Sequence, residues 1–145
     1  MFQFNFLSFI DICSSASRNI TIGDTTNITS PDYPVNYPNN ADCVCYLHSI
    51  DELGGYFKIN ILQLNLEATY DFLTLGYGSE VTDNSTVVTL THASTPNSIY
   101  VFDSIMWTRF TSDHSSTHSG FLMQIKITLN NRTGIYLYIQ YNSCV

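Results

Sequence analysis

The strongest constraint on the fold is an alternation of apolar and polar residues that recurs in short segments, with almost no helical periodicity. The clearest example covers residues 121–129, where every odd-numbered residue is apolar. A period of two places successive side chains on opposite faces of a β-strand. About ten such segments follow one another, separated by Gly, Pro and Asn, and this spacing is typical of two packed sheets. The pattern predicts an all-β, two-sheet antiparallel β-sandwich.

One segment breaks the alternation in an informative way. Between residues 56 and 67, apolar residues occupy odd positions up to Ile61 and even positions from Leu62 onward. A straight strand with one buried face cannot change parity, because a shift of one residue turns every following side chain to the other face. The sequence therefore predicts a bulge or bend near Ile61-Leu62.

Composition narrows the class of protein and of partner. The 145 residues and 16.4 kDa suit one domain. Charged residues make up only 12%, and the formal net charge is −7, so a nucleic-acid partner, which requires a basic surface, is not expected. No run of about 18 apolar residues occurs, and we therefore expect no transmembrane helix.

Four cysteines, Cys13, Cys43, Cys45 and Cys144, leave several arrangements open. An even number favours disulfides, and four cysteines allow three pairings. Four free thiols in a reducing compartment are the alternative. Zinc is disfavoured because Cys43 and Cys45 are separated by one residue, without the spacing of common zinc sites. The β-rich, lysine-poor context favours disulfides and an oxidising compartment.

The two ends of the chain differ from the central region in their predicted roles. Residues 1–12 are interpreted as a weak signal or leader segment, or else as the start of a fragment of a longer secreted chain. Residues 130–145 form a C-terminal tail, either one further strand or a loose end. If the chain is secreted, its Asn-x-Ser/Thr sequons are candidate glycosylation sites: Asn19, Asn27, Asn84 and Asn131.

Three carboxylates follow or precede predicted strands at loop positions. Glu67 ends one strand, Asp71 opens the next, and Asp113 follows a third. Carboxylates that gather at one edge repel each other unless a cation or proton intervenes, and calcium prefers such oxygen ligands. The alternative is three solvated loop acids.

A series of segments, in the same order, resembles the CUB domain family over roughly residues 13–128. The first is the proline- and tyrosine-rich run 28–40, which is followed by Cys43. The central acidic segments 64–67 and 70–73 come next, and then the closing strands at 106–113 and 120–121. The order and spacing of the whole set make the resemblance specific. Residues 13–129 are accordingly assigned to a CUB-like domain with a spermadhesin-like jelly-roll sandwich.

The resemblance implies a site and a disulfide. Calcium-binding members hold the cation with a Glu and two Asp, which correspond to Glu67, Asp71 and Asp113. A backbone carbonyl corresponds to Ser115, and a further side-chain ligand, Asn in many members, corresponds to Ser116. The family bridge corresponds to Cys13–Cys43, whereas Cys45 and Cys144 remain unassigned. The family's second disulfide is absent, and the Glu67–Asp71 loop is short.

The resemblance also implies a function. We expect a non-catalytic, extracellular module that uses calcium to bind a protein presenting Lys or Arg. The alternatives are a carbohydrate-binding, spermadhesin-like lectin module and an accessory domain of a larger secreted protease. The chain supplies no activated nucleophile or convincing acid/base pair, so we do not expect an enzyme.

Overall fold

A computed structural model describes residues 9–51, 54–92, 96 and 98–129. These residues form ten β-strands and a short 3-10 turn at Asp83–Ser85, with no α-helix among them. The strands are β1 (Phe9–Asp11), β2 (Ser17–Ile20), β3 (Thr25–Thr29), β4 (Asp42–Ser49), β5 (Gly55–Asn65), β6 (Phe72–Tyr77), β7 (Thr86–Leu90), β8 (Ile99–Val101), β9 (Ile105–Thr111) and β10 (Gly120–Leu129).

The strands form two five-stranded sheets, as the alternation predicted. One sheet has the order β1-β3-β10-β5-β8 and the other β2-β4-β9-β6-β7. Neighbouring strands are antiparallel except at one edge of each sheet, where β1 pairs with β3 and β2 with β4 in parallel. Alternation defines the buried face of a strand but not the direction of its neighbour, and the two parallel edges are therefore a feature that the sequence did not predict.

The core lies between the sheets and follows the period of two. On β10, Phe121, Met123 and Ile125 are fully buried and Ile127 nearly so. Phe57 and Ile59 lie beside them on the adjacent strand β5, while Leu73 and Leu75 contribute from β6 in the opposite sheet. Burying such side chains stabilises a fold by about 1.5–3 kcal/mol each, which makes this shared interior the main source of cohesion.

The predicted irregularity in β5 is confirmed as a bulge. Leu122 of β10 pairs with Gln63, but the next residue, Met123, pairs with Ile61, so Leu62 has no partner in the ladder. The Leu62 side chain is 55% exposed. One unpaired residue accounts for the change of parity, because the strand resumes its alternation on the correct face after it.

The structure describes only part of the two terminal segments predicted from the sequence. Ile10 of β1 and Ile12 are buried, so the described end of the proposed leader segment packs into the sheet and the core. The tail at residues 130–145 lies outside the described residues. Whether residues 1–12 are removed from a mature protein therefore stays a prediction.

Candidate metal centre

Three strand ends bring the predicted carboxylates together. Glu67 lies just beyond β5, Asp71 just before β6, and Asp113 just after β9. One ligand oxygen from each lies within 4.8 Å of the others. The cluster joins the two sheets, since β5 belongs to one and β6 and β9 to the other.

Asp71 is the most deeply buried carboxylate of the cluster, with no exposed surface. Its Oδ2 accepts a hydrogen bond from the Tyr37 hydroxyl at 2.5 Å, and its Oδ1 accepts one from the Asp113 backbone N–H at 2.8 Å. A buried carboxylate requires such partners, since desolvation without compensation is costly. The two bonds hold the carboxylate in one orientation.

Tyr37 connects the proline-rich segment to two of the carboxylates. Its hydroxyl donates to Asp71 and accepts the Glu67 backbone N–H at 3.0 Å. Burial, followed by the hydrogen bond to the Asp71 carboxylate, raises the pKa of Tyr37 well above its usual range. The hydroxyl therefore stays protonated as a donor. This role of Tyr37 was not predicted from the sequence, although a buried tyrosine hydroxyl requires a partner.

The loop after β9 places Asp113. Its Oδ1 accepts the Ser115 backbone N–H at 2.9 Å, and its carbonyl accepts the Asn40 N–H at 2.6 Å. Ser115 and Ser116 are exposed, and Ser116 has a φ of 56°. Both predicted serines thus lie on the turn that carries Asp113.

The Glu67 carboxylate supplies a direct test of whether a cation fits. Its Oε2 is buried, and among the described residues it has no hydrogen-bond partner. An unpaired buried carboxylate oxygen is rare and costly in a folded protein. Three carboxylates around one point form a hard, anionic oxygen set of the kind that calcium takes. The residues present therefore fit a calcium ion.

The cysteines are arranged as the resemblance implied. Cys13 and Cys43 form a disulfide, with their Cα atoms 5.0 Å apart. Cys45 is fully buried and free within the described residues, and this burial raises the pKa of its thiol. Cys144 lies outside the described residues. Within the described residues, the buried Cys45 side chain packs in the core as a small apolar group.

The sequons occupy different environments. Asn19 on β2 and Asn84 in the 3-10 turn are exposed, whereas Asn27 on β3 is only 3% exposed. Asn131 lies outside the described residues. An attached glycan requires an accessible side chain, which the folded domain offers at Asn19 and Asn84 but not at Asn27.

Trp107 and Arg109, both on β9, have structural roles. Trp107 is fully buried against Gly76, and its Nε1 donates to the Tyr77 carbonyl at 3.1 Å. A Cβ at position 76 would lie 2.1 Å from the indole, so the tryptophan requires glycine there. Arg109 forms a two-point contact with Asp42, with both distances 2.8 Å.

The fold and the acidic cluster define an all-β sandwich module with a candidate cation site at one end, and known proteins share this design. The model of the CUB domain matches residues 13–125. This match covers most of the chain, and the protein therefore belongs to the CUB domain family.

Individual relatives agree with this assignment. Human cubilin is 30% identical over 115 residues, which is 75% of this chain but 3% of cubilin. The chain thus spans a small part of that relative. Within the described residues, no helix is long and apolar enough to cross a membrane.

Solved structures share the fold at lower identity. The CUB1-EGF-CUB2 region of human MASP-1/3 has a TM-score of 0.65 and 20% identity, covering 79% of this chain and 43% of that one. The MASP-1 CUB2 domain, solved bound to Ca²⁺, has a TM-score of 0.59 and 22% identity, covering 76% of this chain and 98% of that one. At these identities the likeness shows the fold alone.

Proposed function

We propose that this CUB domain is a non-catalytic extracellular module that binds a protein partner with the help of calcium. Glu67, Asp71 and Asp113 would hold the ion, and the Ser115 carbonyl and the Ser116 hydroxyl would complete its coordination. The observation that carries the proposal is the buried, unpaired Oε2 of Glu67 beside two other carboxylates. The calcium-bound MASP-1 CUB2 domain, a protein of the same fold, gives it further support.

The bound ion would hold the three carboxylates in an arrangement that a basic side chain of the partner can contact. Three carboxylates carry more negative charge than one divalent cation neutralises, so a Lys or Arg from the partner can contact their remaining oxygens. Because Asp71 is already held by Tyr37 and Asp113, little ordering is left for the moment of binding. Calcium affinity is expected in the range of extracellular modules, about 0.1–1 mM.

An extracellular location fits the Cys13–Cys43 disulfide, since such bonds persist in oxidising compartments. We propose glycans at Asn19 and Asn84, both exposed. Asn27 would remain unmodified, because a glycan there would require opening β3, which lies between β1 and β10.

The decisive experiment is calcium titration of the full chain with Glu67→Gln and, as a matched control, the exposed Glu80→Gln. Wild type and the Glu80 variant should bind calcium calorimetrically and gain melting temperature with it. The Glu67 variant should lose both responses while remaining folded. Equal calcium responses in all three proteins would refute the site, and a glycan array with and without chelator would detect the alternative carbohydrate function.

A further inference from the structure

Among the described residues, a groove of about 270 Å³ lies between the edges of the two sheets. Tyr77 at the end of β6 and Val87 on β7 form one wall, and Tyr100 and Phe102 at β8 form the other. β7 and β8 are the edge strands of their sheets in the described part of the chain. Tyr56, which packs at this end, and Glu67 are separated by most of β5, roughly 30 Å along the strand. The groove is therefore distinct from the acidic cluster.

The groove walls expose large aromatic surfaces to solvent. Phe102 is 73% exposed and Tyr100 is 44% exposed, while Tyr77 and Val87 are each 42% exposed. The rings are not independent, because Tyr56 contacts both Phe102 and Tyr100, with centroids 5.0 and 5.8 Å apart. Contiguous exposed apolar side chains mark interaction sites more often than isolated ones do. Mutual packing holds these rings in place before any partner arrives.

Two acidic residues lie near Phe102. Asp103 lines the groove, and Asp51 and Asp103 line a second hollow of about 260 Å³ that also contacts Phe102. Each carboxylate is positioned by a backbone N–H, that of Ile105 at 2.9 Å for Asp103 and that of Ile22 at 2.6 Å for Asp51. Neither forms an ion pair with any side chain of the described residues.

We propose that this groove is a second, calcium-independent binding site, which takes arginine side chains from an extended segment of a protein partner. A guanidinium is attracted to aromatic faces and to carboxylates, and both are present here. Its aliphatic stem would cover the apolar surface of Tyr77 and Val87. The net charge of −7 also favours a basic partner. Lys58 pairs with Tyr100 across the sheet but does not line the groove.

The test uses the full chain, isotope-labelled, in excess chelator. A synthetic peptide of alternating valine and arginine is titrated against it, with a valine–glutamate peptide of equal length as the reference. Chemical-shift changes should concentrate at Tyr77, Val87, Tyr100 and Phe102 and should be absent with the glutamate peptide. Phe102→Ala should weaken binding at least fivefold. Tyr70→Ala, which removes another exposed aromatic near the acidic cluster, should leave affinity unchanged.

Melting temperatures of both variants establish that they are folded, so a loss of binding by Phe102→Ala can be assigned to the groove. The proposal is overturned if both peptides bind alike, if Phe102→Ala binds as wild type does, or if the shifts lie only at the acidic cluster. Dimerisation abolished by Phe102→Ala, or contacts between Phe102 and residues 130–145, would assign the groove to another occupant and would also overturn it. Because calcium is absent throughout, failure here leaves the proposed calcium function untouched.

Discussion

The acidic cluster and the aromatic groove lie at opposite ends of the sandwich and are built by different means. Asp71 is fully buried and hydrogen-bonded from two directions. Phe102 is mostly exposed and held mainly by other aromatic rings. Polar groups inside a protein must be satisfied by the fold itself, whereas an exposed ring requires no partner. Loss of a hydrogen-bonded group in the cluster should therefore alter stability and calcium binding together, whereas substitutions in the groove should alter binding alone.

The largest effect is expected from Asp71→Ala. The substitution leaves the Tyr37 hydroxyl and the Asp113 N–H without their acceptor in a buried position, which costs about 1–3 kcal/mol for each group. Chemical denaturation should show a loss of about 3 kcal/mol in the free energy of unfolding. Asp71→Asn, which retains one acceptor, should lose less. Wild-type stability in Asp71→Ala would mean that the cluster does not support the fold.

A smaller loss is expected from Tyr37→Phe, which keeps the ring contact with Phe110 and removes only the hydroxyl. Asp71 then loses a donor and the Glu67 N–H loses its acceptor, so unfolding should become easier by about 1–3 kcal/mol. Tyr33→Phe is the matched control, because the Tyr33 hydroxyl contacts the exposed Gln63. An equal loss in both variants would contradict a special role for Tyr37.

Glu67→Gln separates stability from calcium binding. Because Oε2 has no partner among the described residues, removing the charge should leave calcium-free stability unchanged or raise it slightly, within about 1 kcal/mol. Scanning calorimetry in chelator and in excess calcium would measure both values. A large loss in chelator would indicate that the Glu67 carboxylate is satisfied within the protein.

The smallest effect is expected at the exposed Arg109–Asp42 pair. The hydrogen bond from Arg109 lowers the pKa of Asp42 below its ordinary value. The stabilisation is therefore present above the pKa of the unfolded state, near 4, and is lost as pH falls through the lower folded value. Since both side chains are exposed, Asp42→Asn should cost under about 1 kcal/mol at pH 7. This difference should shrink towards zero in denaturation measurements near pH 2, and a constant difference would exclude the ion pair as its cause.

Much of the fold could be predicted from the sequence, because the pattern within a single strand shows which of its side chains are buried. The odd-numbered apolar positions of 121–129 indicate a buried face, and the parity change at Leu62 requires a bulge. Neither signal depends on which strands are neighbours. The parallel pairing of β1 with β3 does depend on which strands are neighbours. No local pattern near Phe9 specifies that contact.

The same distinction applies to the two sites. Glu67, Asp71 and Asp113 could be predicted because carboxylates at strand ends and a family resemblance point to the same residues. The bridging role of Tyr37 could not, since it depends on a loop far away in the sequence. The groove was missed because Tyr77 and Phe102 meet only when the edges of two sheets lie side by side.

The bulge at Leu62 has a consequence for insertions and deletions. Removing one residue from a central strand ordinarily turns all later side chains to the wrong face. Here Ile61 and Gln63 already pair with the adjacent residues Met123 and Leu122, so a chain shortened by Leu62 would keep every other partner in the ladder. The strand β5 is thus one residue longer than its pairing requires, and a related chain that lacks this residue would retain the same register up to Asn65.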